Sequence, residues 1–133
     1  MSDKRKVAIY CRVAREDADA IKHQEVRLRE YVKQQGFLDI AVYSDNGFSG
    51  IRFDRPAFMR MESDIAAGKI NTIVCKDISR IGRGYLDVSA WLDKMKRNGI
   101  SIISVDDGAM DSTFINVGDL IRQAYHGHRA QQR

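Results

Sequence analysis

Four apolar runs alternate with helical patterns along the 133 residues, and this order predicts an α/β fold. The expected form has three layers: a mainly parallel central sheet of four or five strands, with helices on both faces. Two further observations support it. The runs are short and rich in β-branched residues, as befits strands buried on both sides. The segments between them are bounded by residues that start and stop helices.

Residues 7–11 form the first run. Asp17 then opens a helical pattern in which Ile21, Leu28 and Val32 share one face, and Gly36 ends it. Residues 40–43 read as the second strand, followed by a polar loop over 44–55. Pro56 suits a first helical position, and the helix it starts stops at Gly68. Residues 70–75 give the third strand and 76–84 a loop. A helix over 85–97 is closed by Asn98-Gly99, and the fourth strand covers 100–105. Asp106-Asp107-Gly108 reads as a turn. From Asn116 onward, Val117, Leu120, Ile121, Ala124 and Tyr125 recur at helical spacing, so a C-terminal helix should begin near residue 116. Its apolar face has two possible partners, the domain itself or another chain. The polar sequence 126–133 follows. No repeat or low-complexity tract is present, and residues 1–133 read as one domain.

Composition narrows the class. Hydrophobic residues make up 44% and charged residues 30%, ordinary values for a soluble globular protein. The net charge is +4 and the pI about 9.2, with acids and bases interspersed. That excess allows a polyanionic partner without requiring one. Cys11 and Cys75 lie in strand segments and offer neither a disulfide framework nor metal-ligand spacing. They are expected to be buried thiols in a reducing compartment. No apolar run approaches membrane-spanning length, and the polar N-terminus lacks a signal-peptide core. The expected location is cytoplasmic, with no membrane partner.

In a parallel sheet ligands collect at the carboxyl ends of the strands. Three polar loops lie there, over residues 12–16, 44–55 and 76–84, and they carry arginine: Arg12, Arg52 and Arg55, Arg80 and Arg83. A guanidinium is a permanently charged fork that matches phosphate oxygens. Phosphoryl transfer depends mainly on positioning and on stabilising charge at the non-bridging oxygens, so converging arginines suit a metal-free phosphodiester site. Other uses of this sheet fit poorly. No G-x-G-x-x-G follows a strand, Gly68-Lys69 lacks the earlier P-loop glycine, and the first strand ends in Arg12 rather than the acids of a phosphoacceptor domain.

The segment Tyr10-Cys11-Arg12-Val13-Ala14 resembles the Tyr-x-Arg-Val-Ser signature of the serine recombinases, with alanine where that family has serine. Gln24 matches a glutamine the family uses near its serine. Residues 43–50 with Phe53-Asp54-Arg55-Pro56 resemble the loop of the large serine recombinases. Ser79-Arg80-Ile81-Gly82-Arg83 is similar to their Ser-Arg-x-Gly-Arg motif. The resemblance covers residues 5–125, and Ser79, where small resolvases usually have aspartate, points to the large or integrase-like branch.

The resemblance implies a resolvase-like fold and a DNA-cleaving site. The residue at position 14, as serine, would attack the scissile phosphate. Arg12, Arg80 and Arg83 would bind that phosphate, and Arg55 would add positive charge. Asp45 and Gln24 would orient or activate, and Tyr10 would position the motif. No cofactor, metal or small-molecule substrate is implied; the partners are DNA and, in a full-length protein, further copies forming dimers or tetramers through a long helix that starts near residue 116. Ala14 has no hydroxyl, so the covalent step should be lost. Ser49 and Ser79 are not expected to replace it. The family's separate DNA-binding region is not found in this sequence, so the chain is expected to be an isolated catalytic domain, binding DNA weakly through phosphates. The leading expectation is thus a large-recombinase catalytic domain with its nucleophile deliberately replaced. The alternatives are a natural non-catalytic paralogue that acts in DNA-associated regulation or dimerisation, and an unrelated α/β phosphate-binding enzyme.

Overall fold

The computed structural model describes residues 4–127. Its strands are β1 (Lys6–Val13), β2 (Asp39–Asn46), β3 (Thr72–Cys75), β4 (Ser101–Ser104) and β5 (Met110–Asp111). Its helices are α1 (Ala18–Gln34), α2 (Pro56–Ala66), α3 (Tyr85–Arg97) and α4 (Val117–Arg122), with a 3-10 turn over Ile78–Arg80. The sheet order is β2-β1-β3-β4-β5. The first four strands are parallel and β5 runs antiparallel to β4. The predicted three-layer α/β architecture is what the chain adopts.

Strand alternation divides the core. Val7, Ile9 and Cys11 of β1 face one side with Val74 and Ile103, where Leu28 and Val32 of α1 cover them. Ala8 and Tyr10 face the other side with Ile73 and Ile102, under Phe58 and Met61 of α2, Leu92 of α3 and Leu120 of α4. Cys11 and Cys75 therefore lie in different layers, and burial pushes both thiols up, Cys11 to about 11.

The local signals act where the sequence placed them. The Asp17 carboxylate accepts from the Ala20 N–H and caps α1, Pro56 occupies the first turn of α2, and Gly36 sits at φ 80° past the end of α1. The α4 face is settled too: Val117, Leu120 and Ile121 are buried against the domain's own larger core cluster, alongside α3. The polar residues 128–133 lie outside the described residues.

Several boundaries differ from expectation, and the fourth strand is Ser101–Ser104 rather than 100–105. β1 continues through Val13 and β2 through Asn46, so Arg12 and Asp45 are paired strand residues rather than loop residues. Nothing breaks the pairing before Ala14 and Gly47, and polar side chains at the sheet edge are compatible with it. β3 starts at Thr72 rather than at residue 70; Asn71 just before it still bonds to both neighbours, its N–H donating to the Lys6 carbonyl at 2.9 Å and its carbonyl accepting from the Ser101 N–H at 3.0 Å. β5 lies in a segment read only as turn and linker; two residues are too few for any periodicity to register. Among the described residues no helix is long and apolar enough to cross a membrane.

Phe58 is fully buried and meets Tyr10, Phe53 and Trp91 with ring centroids 5.3–5.4 Å apart. Phe58→Ala is expected to destabilise the protein by about 3–5 kcal/mol, measured by denaturant unfolding.

Candidate active site

The loop after β2 folds back over the end of β1, where the Val13 carbonyl accepts from Gly47 N–H at 2.9 Å and Phe48 N–H at 3.1 Å. Ala14 follows Val13 directly and is exposed. On its other side the Asn46 side chain accepts from the Asp17 N–H at 2.9 Å. The bend carrying Ala14 is thus tied at both ends.

Arg12 leaves β1 toward the loops and is 2% exposed. Its Nε donates to the Arg80 carbonyl at 3.0 Å, Nη1 to the Phe48 carbonyl at 3.0 Å and Nη2 to the Ser79 carbonyl at 2.6 Å. One side chain therefore joins all three strand ends. Burial, with the charges of Arg55, Arg80 and Arg83, pushes its guanidinium down to about 10, still cationic at neutral pH. Gly50 makes this possible, since a Cβ there would sit 2.7 Å from Arg12 Nη2 and 2.6 Å from Arg83 Cγ.

Gln24 stands in for a missing strand. β3 pairs with β1 only as far as Tyr10, which leaves the Arg12 main chain without a neighbour on that side. The Gln24 Oε1 accepts from the Arg12 N–H and its Nε2 donates to the Arg12 carbonyl, both at 3.1 Å. Gln24 lies on the buried face of α1 with Leu28 and Val32.

Tyr10, Asp45 and Arg55 form a second buried unit. Asp45 accepts from the Tyr10 hydroxyl at 2.7 Å and from the Ala57 and Phe58 N–H groups at 2.8 and 3.0 Å. It therefore caps α2 from β2, where the residue at the cap position, Arg55, gives no side-chain bond. Burial and the bond to Asp45 raise the Tyr10 hydroxyl, which stays protonated. Arg55 is 2% exposed and lies 4.4 Å from the Phe58 ring centroid and 5.5 Å from those of Tyr10 and Phe53. It donates to the Arg80 carbonyl at 3.0 Å and to the Ile81 carbonyl.

Arg80 and Arg83 lie outward of these groups. Arg80 Nη1 donates to the Arg12 carbonyl at 3.0 Å, and Arg83, exposed, has its N–H held by the Gly50 carbonyl at 2.9 Å. The two serines near Ala14 are engaged: Ser49 Oγ accepts from the Ile51 N–H at 3.1 Å, and Ser79 Oγ donates to Asp77. Arg52 pairs with Asp54 in solvent, away from the convergence. Among the described residues, no group of three His, Cys, Asp or Glu side chains is gathered to hold a metal ion.

Sequence reasoning missed Asp107. It is 1% exposed, accepts from the Ile78 N–H at 2.9 Å and from the Ser104 hydroxyl, and so anchors the turn carrying Arg80 to the end of β4. Read with Asp106 it is an ordinary turn pair; only its burial separates the two.

The structure thus defines an α/β domain whose mainly parallel sheet gathers buried and exposed arginines at its carboxyl edge. The family model of the resolvase N-terminal domain matches residues 7–133, and the chain belongs to that family. The N-terminal catalytic domain of TP901-1 integrase is similar at TM-score 0.76 and 27% identity, over 96% of this chain and 97% of that one. A resolvase-family site-specific recombinase from Streptococcus pneumoniae gives TM-score 0.73 at 25% identity, over 97% of this chain and 91% of that one. A Bacillus subtilis (strain 168) protein named "Putative DNA recombinase" is 32% identical over 102 residues, which is 75% of this chain. The matched region is 20% of that protein's length.

Two substitutions test this geometry. Asp45→Ala removes the α2 cap and leaves the Tyr10 hydroxyl buried without its acceptor, an expected loss of about 2–4 kcal/mol by thermal or denaturant unfolding. Gly50→Ala forces a methyl group against Arg12 and is expected to cost about 1–3 kcal/mol in the same measurement.

Proposed function

We propose that the chain is the catalytic domain of a site-specific DNA recombinase whose covalent step fails at residue 14. The observation that carries this reading is the position of Ala14: exposed on a pinned bend just after β1, two residues past Arg12, whose side chain and carbonyl are bonded to the loop that carries Arg80 and Arg83. A serine there would attack the phosphorus of a backbone phosphodiester through Oγ. The P–O bond to the 3′ oxygen would break, a 3′ hydroxyl would leave, and a phosphoserine ester would keep the bond for rejoining. The proton lost by the nucleophile is matched by one that the leaving 3′ oxygen takes up through solvent, and the arginines stabilise the charge that grows on the non-bridging oxygens. Alanine has no oxygen to attack with, and the engaged hydroxyls of Ser49 and Ser79 support the view that nothing replaces it.

The arginines divide into two roles. Arg80 and Arg83, the more accessible pair, contact the phosphate. Arg12 and Arg55, buried and bonded to loop carbonyls, hold the loops in place and add positive potential from behind. Gln24, Asp45 and Tyr10 orient the strand ends rather than transfer protons. The partners are DNA, met mainly at its phosphates, and in the full-length protein further copies of itself.

Ala14→Ser in the full-length gene product is expected to yield protein covalently linked to DNA, detected as a shifted band that survives denaturation. The parent should give none. Adding Arg80→Ala to the Ala14→Ser variant should abolish the adduct. Absence of any adduct from the Ala14→Ser protein on DNA that it binds would refute the reading.

A further inference from the structure

Past Arg122, α4 widens into a π turn over Gln123–Gly127, a rare form met mostly at functional positions. The turn packs Tyr125 against the larger core cluster, with its ring centroid 5.3 Å from that of Tyr85. Tyr85 opens α3, and only Gly84 separates it from Arg83. The end of α4 therefore reaches the loop that carries Arg80 and Arg83. The Tyr125 hydroxyl oxygen is buried and has no hydrogen-bond partner among the described residues. Such a group has lost its water contacts without replacement, and native structures seldom keep one without a use.

The groups around this hydroxyl are charged. Burial pushes it above its ordinary range, the charge of Asp107 adds to the rise, and that of Arg83 opposes it. Asp107 is already engaged by the Ile78 N–H and the Ser104 hydroxyl. Arg83 differs. Its N–H is held by the Gly50 carbonyl, and its Cγ lies 2.6 Å from where a Gly50 Cβ would stand, so main chain and stem are fixed. Its guanidinium, by contrast, has no hydrogen bond or ion pair among the described residues, and the residue is exposed.

We infer that Tyr125 is a positioning residue for the cleavage step: its hydroxyl accepts a hydrogen bond from the Arg83 guanidinium when that group binds a backbone phosphate of DNA. The inference rests on the recombinase reading above. A guanidinium has five donors in a planar fork, so one edge can meet phosphate oxygens while another N–H reaches the tyrosine. DNA that covers the site strips water from Arg83, and the donors left over then need an acceptor. Fixing the head of the side chain narrows the positions in which the phosphate is held for attack. Because the bond forms only with DNA bound, it contributes to the rate and not to the stability of the free protein. Tyr10 is the opposite case, since its hydroxyl is bonded to Asp45 in the free protein.

The covalent adduct is followed at saturating DNA in the Ala14→Ser full-length protein. Adding Tyr125→Phe is expected to slow adduct formation about 10-fold, the worth of one hydrogen bond to a charged group, with the melting temperature of the free protein equal or higher. Tyr10→Phe should lower that melting temperature. In the chain as it stands, ¹⁵N spectra report the Arg83 Nε–H, assigned by its loss in Arg83→Lys. Saturating duplex should slow its exchange with water, and Tyr125→Phe should restore most of that exchange. An unchanged adduct rate in the Tyr125→Phe protein overturns the inference. A rate that falls together with the melting temperature also overturns it, by making the hydroxyl a structural group. Arg83 protection that is absent from the parent, or that survives Tyr125→Phe, overturns it by giving the hydroxyl another partner. In each of these cases an adduct from the Ala14→Ser protein leaves the recombinase reading standing. If that protein, with Tyr125 intact, forms no adduct on DNA that it binds, the recombinase reading fails and the inference with it.

Discussion

The Arg80 carbonyl accepts hydrogen bonds from two buried guanidinium groups, Arg12 Nε and Arg55 Nη1, each at 3.0 Å. Arg12 comes from the end of β1 and Arg55 from the cap position of α2, and they converge on the loop that follows β3. With Arg12 also reaching Phe48 and Ser79, and Arg55 reaching Ile81, the loops at the carboxyl edge are held by side chains rather than by a ladder. Removing two cations from water is costly, and the structure offsets that cost in stages. Carbonyls fill most of the donor positions, three aromatic faces surround Arg55, and the Asp45 charge lies near enough to favour the Arg55 cation. Removing any part of this arrangement leaves a buried charge with fewer partners.

This constraint explains the small residues around it. Gly50 has no Cβ because Arg12 and Arg83 occupy that space, and Gly82 has none because Phe53 and Val88 approach within 2.8–2.9 Å of where it would stand. Residue 14 takes no part in it. Ala14 lies outside the buried network, its side chain is exposed, and the bend beneath it is fixed by the backbone of Val13 and by Asn46.

Much of this was legible from residue types. Alternating runs gave the layers, Asp17 and Pro56 the helix starts, and Gly36 the end of α1. The arginines were found by their positions after strands, and their convergence on one edge followed from parallel topology. What each one touches was not legible. Arg12 and Arg55 read as loop cations facing a ligand, yet they point inward to carbonyls, because the partners are main-chain atoms that any sequence would supply. Asp45 read as an orienting group; that it caps a helix eleven residues downstream depends on where β2 places it. The fifth strand was invisible because two residues carry no period.

By itself the sequence determined the fold class, the order of the elements, the edge at which the arginines gather and the absence of a hydroxyl at residue 14. These follow from local propensity, hydrophobic periodicity and covalent chemistry, which need no neighbours. Only the tertiary structure decided which arginines are buried and which stay near solvent, that Gln24 completes the edge of β1, and that Asp107 rather than Asp106 anchors the Arg80 turn. Those outcomes depend on distances between segments far apart in the chain, and charge and hydrogen-bond energies depend on distance and burial rather than on residue type.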